Sequence, residues 1–343
     1  MLVSVDVGNG YTKAVSEDGQ MTIFPSIISY IGNKTIDFGW DDNFILGIEI
    51  MGRRELVAVG EAARKESRAV LMSFTPDRYV DEIGQILLFS GAYLVGAQGD
   101  ITLGIGVPLS FYSSLKEDIK SKLTGISANI QIEGKPKRTI RFSEIYVFPQ
   151  GFGAIFSMSG KLPETGLLGI IDIGYFTTDY TLFECRRDGI NPLRTYSGSI
   201  QIGISTAVKI VADEFTQKTG RPLTMSEAQN IWEEERITFK GQLLDFRNAK
   251  RDALNKVGKI IKDAVLSIWS DKVDFAGKIF LIGGGAMELS EFLLEMIPQA
   301  EVPPLPQFAN ALGYMAFLKR QKNNVRQAQM GSNEGSRTLH LNA

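Results

Sequence analysis

Two similar stretches, LVSVDVGNGYTK at residues 2–13 and LGIIDIGYFTTD at residues 168–179, lie about half the chain apart. Each is an apolar run that ends in Asp-x-Gly and is followed by a turn and a second run that carries a threonine. Two apolar runs joined by a short glycine turn predict a β-hairpin. A repeat at this spacing indicates a duplicated domain, because a solenoid repeats over much shorter intervals.

Each stretch places an aspartate where its apolar run ends, Asp6 in the first and Asp172 in the second. A carboxylate in that position projects from the edge of a sheet. We expect Gly8 and Gly174 to adopt positive φ and to present backbone N–H groups with no side chain in the way. Mg²⁺ prefers one or two carboxylates together with phosphate oxygens and retained water. Either hairpin alone is compatible with a plain β-turn, whereas the two together favour a phosphate clamp with a hydrated Mg²⁺.

A third stretch, KIFLIGGGA at residues 278–286, combines a buried strand with three consecutive glycines. The pattern predicts a helix from about Leu289. A strand that opens through glycines into a helix is typical of nucleotide sites, because helix N-termini favour phosphate and bare backbone permits close approach. It is neither the Rossmann pattern nor a P-loop, and by itself it is equally compatible with a tight strand-to-helix turn.

Strands and helices alternate along most of the chain, which is typical of an α/β fold. The uncharged segment Ile83–Gly99 is shorter than the roughly 20 residues that a membrane span needs, so it predicts a buried core helix. From Gln321 onward the chain is polar and has no apolar period, and we expect residues 321–343 to form a disordered tail. Apolar patterning in the second half predicts helices over Ile204–Thr219, Thr224 to about Glu235, Leu244–Trp269 and Phe308–Lys319.

Composition excludes several classes of protein. The chain has 343 residues, enough for two domains, and a formal net charge of -2, which argues against direct nucleic-acid binding. Cys185 is the only cysteine and His340 the only histidine, so disulfide scaffolds, Cys/His zinc sites and Ser/His catalysis are not expected. This usage fits a cytoplasmic protein, and neither a secretory leader nor an amphipathic membrane anchor is expected.

Read in order, five motifs resemble those of the actin, Hsp70 and sugar-kinase superfamily: Asp6–Lys13, PQGFGA at 149–154, Asp172–Asp179, Leu281–Ala286 and FANALGY at 308–314. Within it the chain is similar to ParM-type plasmid-segregation actins and archaeal actin-like proteins. The resemblance implies an α/β fold of two duplicated, ribonuclease H-like domains with a nucleotide cleft between them. Domain I would comprise 1–150 and 306–320 with a small insertion at about 26–75, and domain II 151–305 with an insertion at about 205–250.

The resemblance also implies roles for individual residues. Asp6 and Asp172 would hold Mg²⁺ through water and form the catalytic set with Gln150, which would orient the attacking water because a neutral amide is a poor base. Lys13 would neutralise charge that develops on the phosphates. Tyr175 and Phe176 stand where the second turn often has smaller residues. The nucleotide-binding set would be Gly8, Asn9, Gly10, Tyr11, Thr12 and Lys13 in the first hairpin, Gly174, Tyr175 and Thr178 in the second, Gly203, Lys209 and Glu214 near the adenosine, and Gly283, Gly284 and Gly285 along the adenosine and α-phosphate.

The function implied is a slow, assembly-coupled ATPase that uses Mg²⁺ with ATP, or alternatively GTP, and polymerises into dynamic cytoplasmic filaments for plasmid or DNA segregation. Its partners would be further copies of itself and a DNA-binding adaptor, with no direct nucleic-acid or membrane contact. One alternative is a small-molecule kinase of the sugar or acetate type, which would need a carboxylate base where Gln150 stands. The other is a nucleotide-binding protein of the same fold that does not polymerise.

Overall fold

The computed structural model describes residues 1–31, 44–66, 70–73, 75–132, 134–158, 160 and 162–330. The chain folds into two compact units. The first contains Met1–Lys161 and the described residues from Phe308 to Met330, and the second contains Leu162–Gln307. Each unit has its own hydrophobic core, as expected of a chain that carries a duplicated domain.

The first unit is built on a nine-stranded mixed sheet. Its strands are β1 (Leu2–Val7), β2 (Tyr11–Ser16), β3 (Met21–Pro25), β4 (Ile28–Tyr30), β5 (Ile45–Ile50), β6 (Arg53–Val59), β7 (Gly99–Val107), β8 (Ser127–Ile132) and β9 (Arg138–Pro149). Its helices are α1 (Glu61–Glu66), α2 (Glu82–Leu94), α3 (Leu109–Leu123), α4 (Phe152–Ser157) and α9 (Ala309–Met330). The strand order is β3-β2-β1-β7-β9-β8-β5-β6-β4. Apolar side chains of β1 and β7 pack with α2 in the core, where the rings of Phe89 and Phe142 stack 4.1 Å apart.

The second unit is built on a five-stranded sheet and a separate two-stranded hairpin. Its strands are β10 (Gly166–Ile173), β11 (Thr178–Arg186), β12 (Gly189–Ile200), β13 (Arg236–Phe239), β14 (Gln242–Asp245), β15 (Ala276–Ile282) and β16 (Ala300–Glu301). The sheet has the order β12-β11-β10-β15-β16, and β13 and β14 form the hairpin. Trp269 is fully buried in the core of this unit and donates its indole N–H to the carbonyl of Tyr196 at 2.9 Å. The helices are α5 (Ile204–Thr219), α6 (Met225–Glu234), α7 (Arg247–Trp269) and α8 (Gly284–Met296).

The two sheets share one plan. In the first, β3, β2 and β1 are antiparallel neighbours, and β1, β7 and β9 are parallel neighbours. In the second, β12, β11, β10, β15 and β16 repeat the same order and the same directions. The sequence repeat therefore reports a duplicated α/β domain, which confirms the predicted fold class. Strands β4 to β6, within the predicted insertion at 26–75, extend the first sheet beyond β9 and β8.

Several predicted elements differ from the structure. The helix expected from Leu289 begins at Gly284. Glycine is a poor helix former, but here the first turn of the helix is stabilised by close packing on β10. The last helix was expected to end at Lys319 with a disordered tail from Gln321, but α9 continues to Met330. An ion pair between Lys322 and Glu17, with 2.6 Å between Nζ and Oε2, ties this extension to the first unit. Residues 331–343 lie outside the described residues.

Two further elements depart from the sequence prediction. Strand β12 was not predicted, and α7 begins at Arg247 because residues 242–245 pair as strand β14 instead of continuing the helix. The uncharged segment Ile83–Gly99 contributes most of α2, in which Ile86, Leu87 and Leu88 are buried, so the predicted core helix is confirmed. The helix ends at Leu94, before the end of the uncharged segment. Across the described chain, every helix is too short or too polar to cross a membrane.

Candidate functional site

The first hairpin brings three of the predicted site residues together. Asp6 is only 5% exposed at the end of β1, and Lys13 lies opposite it on β2. The Lys13 Nζ is 3.6 Å from one Asp6 carboxylate oxygen. The other oxygen accepts a long hydrogen bond of 3.4 Å from the Gln150 amide. A buried carboxylate, an ammonium and an amide therefore converge at the end of β1.

The turns of the two hairpins are closed by equivalent hydrogen bonds. Gly8 donates its N–H to the carbonyl of Tyr11 at 3.1 Å, and Gly174 donates to that of Thr177 at 2.8 Å. The expectation of positive φ at these glycines is wrong, since neither adopts the left-handed region. Glycine is needed there because a Cβ would lie 2.9 Å from the Tyr11 oxygen in the first turn and 3.0 Å from the Thr177 oxygen in the second.

Asn9 lies at the tip of the first turn and carries an unsatisfied acceptor. Its Oδ1 is buried and has no hydrogen-bond partner among the described residues. Gly10, the next residue, accepts the N–H of Ser26 at 2.9 Å, which fixes the tip against the end of β3. A buried orphan oxygen costs free energy unless a donor or a cation reaches it, so this turn is suited to a further ligand or water.

The two threonines of the repeat serve the hairpins themselves. Thr12 and Thr178 are both fully buried. The Thr12 hydroxyl shares a hydrogen bond of 2.9 Å with the Ser26 hydroxyl, and Thr178 donates to the carbonyl of Ile202 at 2.8 Å. Tyr11 is partly buried at the start of β2. The structure thus gives both threonines partners inside their own unit.

Gln150 is held by its backbone at the junction of β9 and α4. Its N–H donates to the carbonyl of Val107 at 2.8 Å, and the next residue, Gly151, has a φ of 81° that favours glycine. The Gly151 N–H donates to the side chain of Asn310 at 3.0 Å. Asn310 was not among the predicted site residues, although it lies within the FANALGY motif, which provided the only sequence signal for it.

In the second unit, Asp172 lies beside the three-glycine turn. Asp172 pairs in register with Ile282, the residue that precedes these glycines. At Gly283, where φ is 84°, a Cβ would come within 2.5 Å of the Asp172 carboxylate and 2.4 Å of the Ile173 carbonyl. At Gly285 it would lie 2.4 Å from the Ile173 side chain, and at Gly284 the nearest atom would be the Gln307 amide at 3.2 Å. Gly283 and Gly285 are therefore required by close packing on β10, whereas the only near neighbour of Gly284 is the side chain of Gln307.

The second hairpin also abuts the start of α5. A Cβ at Gly203 would lie 2.6 Å from the Tyr175 carbonyl, and Ser205 donates its N–H to that carbonyl at 2.7 Å. Lys209 is exposed on the same helix, and Glu214 forms an ion pair with Lys218 at 2.6 Å. The structure thus places Gly203 at the second hairpin, and Lys209 and Glu214 further along α5.

The two bulky residues of the second turn have partners. Tyr175 and Phe176 pack edge to face with ring centroids 4.8 Å apart. The Tyr175 hydroxyl donates to the side chain of Gln229 at 2.9 Å, and the Gln229 amide donates to Glu233 at 2.8 Å. This chain of hydrogen bonds links the second hairpin to α6, a connection that the sequence did not predict.

The second hairpin differs from the first at the residue opposite its aspartate. Asp179 pairs in register with Asp172, where the first unit has Lys13 opposite Asp6. Directly opposite residues of an antiparallel pair lie on the same face, and like charges there are destabilising.

Within the described residues, no three His, Cys, Asp or Glu side chains come close enough to hold a metal ion by themselves. Mg²⁺ needs only one or two carboxylates in addition to phosphate oxygens and water, so the strand-end carboxylates of Asp6 and Asp172 have the chemistry that this ion requires.

Duplicated sheets of this order, with an aspartate and a glycine turn at the same strand end in each, define the actin-like class of α/β protein. The family model "Actin like proteins N terminal domain" matches residues 4–153. The model "Archaeal actin homologue MreB-like, C-terminal" matches residues 170–295. The chain belongs to the actin-like proteins.

Individual relatives are similar over nearly their full length. The chain is 25% identical to the archaeal actin homolog of Thermoplasma acidophilum over 93% of this chain and 99% of the relative. It is 25% identical, with a TM-score of 0.83, to a ParM in the structure of a 15-stranded filament from Clostridium botulinum, over 93% and 99% of the two chains. Ta0583, an archaeal actin homolog in complex with ADP, shares the fold at a TM-score of 0.79 and 23% identity, over 93% and 99%.

Proposed function

We propose that this chain binds and hydrolyses ATP with Mg²⁺, and that the bound nucleotide controls its polymerisation into filaments. The observation that carries the proposal is the duplicated hairpin, with a carboxylate at the end of β1 and of β10 and a glycine turn beside each. The glycines allow phosphate oxygens to approach the backbone of each turn closely, and Lys13 adds a cation to the first turn.

For hydrolysis, the residue of interest is Gln150. Its amide lies next to the Asp6 carboxylate, and its backbone is fixed by Val107 and by the hydrogen bond from Gly151 to Asn310. An amide can orient a water molecule but cannot remove its proton efficiently, which suits slow turnover. When bound, Mg²⁺ would neutralise phosphate charge, with Asp6 and Asp172 holding its water ligands.

Polymerisation is supported by the likeness to a ParM whose structure is a filament, at 25% identity. A head-to-tail contact that does not close into a ring generates an open filament. We expect ATP to favour assembly of the filament and hydrolysis to weaken it, because loss of the γ-phosphate can change the conformation that the filament contact requires. GTP is the alternative nucleotide.

The cellular role that fits is segregation of plasmid or other DNA in the cytoplasm. The net charge of -2 disfavours direct DNA binding, so a separate DNA-binding adaptor would connect filament and cargo. The two alternatives from the sequence, a small-molecule kinase and a non-polymerising nucleotide-binding protein, predict different outcomes in the same assay.

The test is light scattering of the purified protein with Mg-ATP, Mg-GTP, Mg-ADP or a non-hydrolysable ATP analogue, together with phosphate release. We expect cooperative scattering with ATP and with the analogue, followed by decay only with ATP as phosphate appears. Scattering that is independent of nucleotide would contradict the coupling. Nucleotide binding without scattering at any protein concentration would contradict polymerisation, and phosphate transfer only to an added small acceptor would identify a kinase.

A further inference from the structure

A buried arginine lies directly beneath the first hairpin. Arg78 begins a short 3-10 turn, Arg78–Val80, that precedes α2, and only 5% of it is exposed. Its Nη1 donates to the carbonyl of Val7 at 3.2 Å, and its Nε donates to that of Thr75 at 3.1 Å. Val7 is the residue between Asp6 and Gly8, so the guanidinium contacts the backbone that leads into the first turn.

In the part of the chain that the structure describes, no carboxylate forms an ion pair with Arg78. The acidic group three residues later, Asp81, is used elsewhere: it accepts the N–H of Gly84 at 2.7 Å as the cap of α2, and it accepts the Ser73 hydroxyl. Burial of a cation with only carbonyl partners is costly. A buried cation in such a place is therefore a candidate for binding an anion.

The charges beside the first hairpin are thus unequal. Lys13 and Arg78 are two buried cations, and Asp6 is the buried carboxylate that pairs with Lys13. Tyr79, the next residue, is fully buried between these groups: burial and then the charge of Asp6 raise the pKa of Tyr79, and the charge of Arg78 lowers it. The balance is positive, which favours a ligand with several negative charges.

The position of Arg78 is also fixed before any ligand binds. A Cβ on Gly84 would lie 1.8 Å from the Arg78 carbonyl oxygen, so α2 packs directly on this backbone. The Tyr79 hydroxyl donates to the carbonyl of Gly106 on β7 at 2.5 Å. A cation held in this way loses little conformational entropy when an anion arrives.

We propose that Arg78 is a positioning residue of the nucleotide site, which holds the Val7 carbonyl and supplies a second buried positive charge for the polyphosphate. The inference rests on the proposed function. It adds a residue from outside the repeated hairpins, and it predicts that the contribution of Arg78 grows with the number of phosphates.

The test compares the full-length protein with Arg78→Gln, which keeps an N–H donor without the charge, and Arg78→Lys, which keeps the charge. Arg141→Met is the matched control, because Arg141 lies in the same unit but is half exposed and pairs with Asp100 at 3.6 Å. Dissociation constants for ATP, ADP and AMP with Mg²⁺ are measured by competition with a fluorescent ATP analogue, and thermal unfolding without nucleotide checks each fold.

We expect Arg78→Gln to weaken ATP and ADP binding about tenfold or more, because the variant loses a buried positive charge beside the polyphosphate. AMP binding should change less than about threefold, Arg78→Lys should recover most of the ATP affinity, and Arg141→Met should match the wild type. Equal loss for all three nucleotides, an unchanged ATP affinity in Arg78→Gln, or a folded Arg78→Lys as weak as Arg78→Gln would each overturn the inference. A wild-type protein that binds no nucleotide would instead contradict the proposed function itself.

Discussion

At the scale of single residues, the duplicated hairpins have diverged at one position that decides their charge. Lys13 and Asp179 occupy equivalent places opposite Asp6 and Asp172. The first hairpin therefore combines a carboxylate with an ammonium, and the second combines two carboxylates. A phosphate chain with a bound divalent cation needs both kinds of surroundings, so the asymmetry is consistent with different roles for the two turns.

Gln150→Ala tests the residue proposed to orient water. Because the amide neither carries charge nor anchors the hairpin backbone, we expect ATP affinity to stay within about threefold, whereas the rate of hydrolysis falls about 100-fold. Filaments should then form with ATP but disassemble slowly. The measurement is single-turnover phosphate release beside scattering, with Gln85→Ala on α2 as the control. An unchanged hydrolysis rate in Gln150→Ala would exclude this role.

At the scale of elements, the first unit depends on the crossing of two helices that carry glycines. A Cβ on Gly313 of α9 would lie 1.6 Å from the Gly153 carbonyl oxygen on α4. Tyr314, the next residue, stacks on Phe148 with ring centroids 4.9 Å apart. Glycine is a poor helix former, so its presence within α9 is explained by this close approach of two backbones.

Gly313→Ala is therefore expected to destabilise the protein by about 3 kcal/mol or more, since the clash is with backbone and cannot be relieved by a side-chain rotation. The matched control is Gly258→Ala in the middle of α7, where the nearest atoms to a new Cβ lie 3.6 Å away. That substitution should be neutral or should stabilise by up to about 1 kcal/mol through helix propensity. Urea unfolding measures both, and equal effects at the two positions would refute the packing explanation.

At the scale of the whole molecule, each unit has its own sheet, core and strand-end aspartate. A ligand that binds only the folded protein stabilises it in proportion to the logarithm of its concentration. Binding of magnesium and nucleotide can therefore be measured as an increase in the stability of the folded protein, without any assembly assay.

We expect Mg-ATP at 100 times its dissociation constant to add about 2.7 kcal/mol and to raise the midpoint of thermal unfolding by several degrees. Asp6→Asn and Asp172→Asn should each abolish most of this shift. Asp118→Asn should keep it, because Asp118 is an exposed partner of Lys122 on α3. Differential scanning fluorimetry provides the measurement, and a full shift in either hairpin variant would remove that aspartate from the proposed site.

Features that depend on residues adjacent in the chain could be predicted from the amino-acid sequence. Apolar runs, the glycine turns and the half-chain repeat predicted both hairpins, the α/β class and the duplication, and α5 begins and ends where its periodicity predicted. Strand-end aspartates were visible for the same reason, because strand, turn and carboxylate are adjacent in the chain.

Features that depend on contacts between distant residues could be identified only in the folded protein. Gly8 is required by contact with a carbonyl and not by φ, and α8 begins at Gly284 because Gly285 packs on Ile173. Arg78 lies 71 residues from the carbonyl of Val7 that it contacts, and no local pattern distinguishes it from an exposed arginine. Burial and hydrogen bonding between distant segments give such residues their roles, and these interactions exist only once the sheet and helices have packed together.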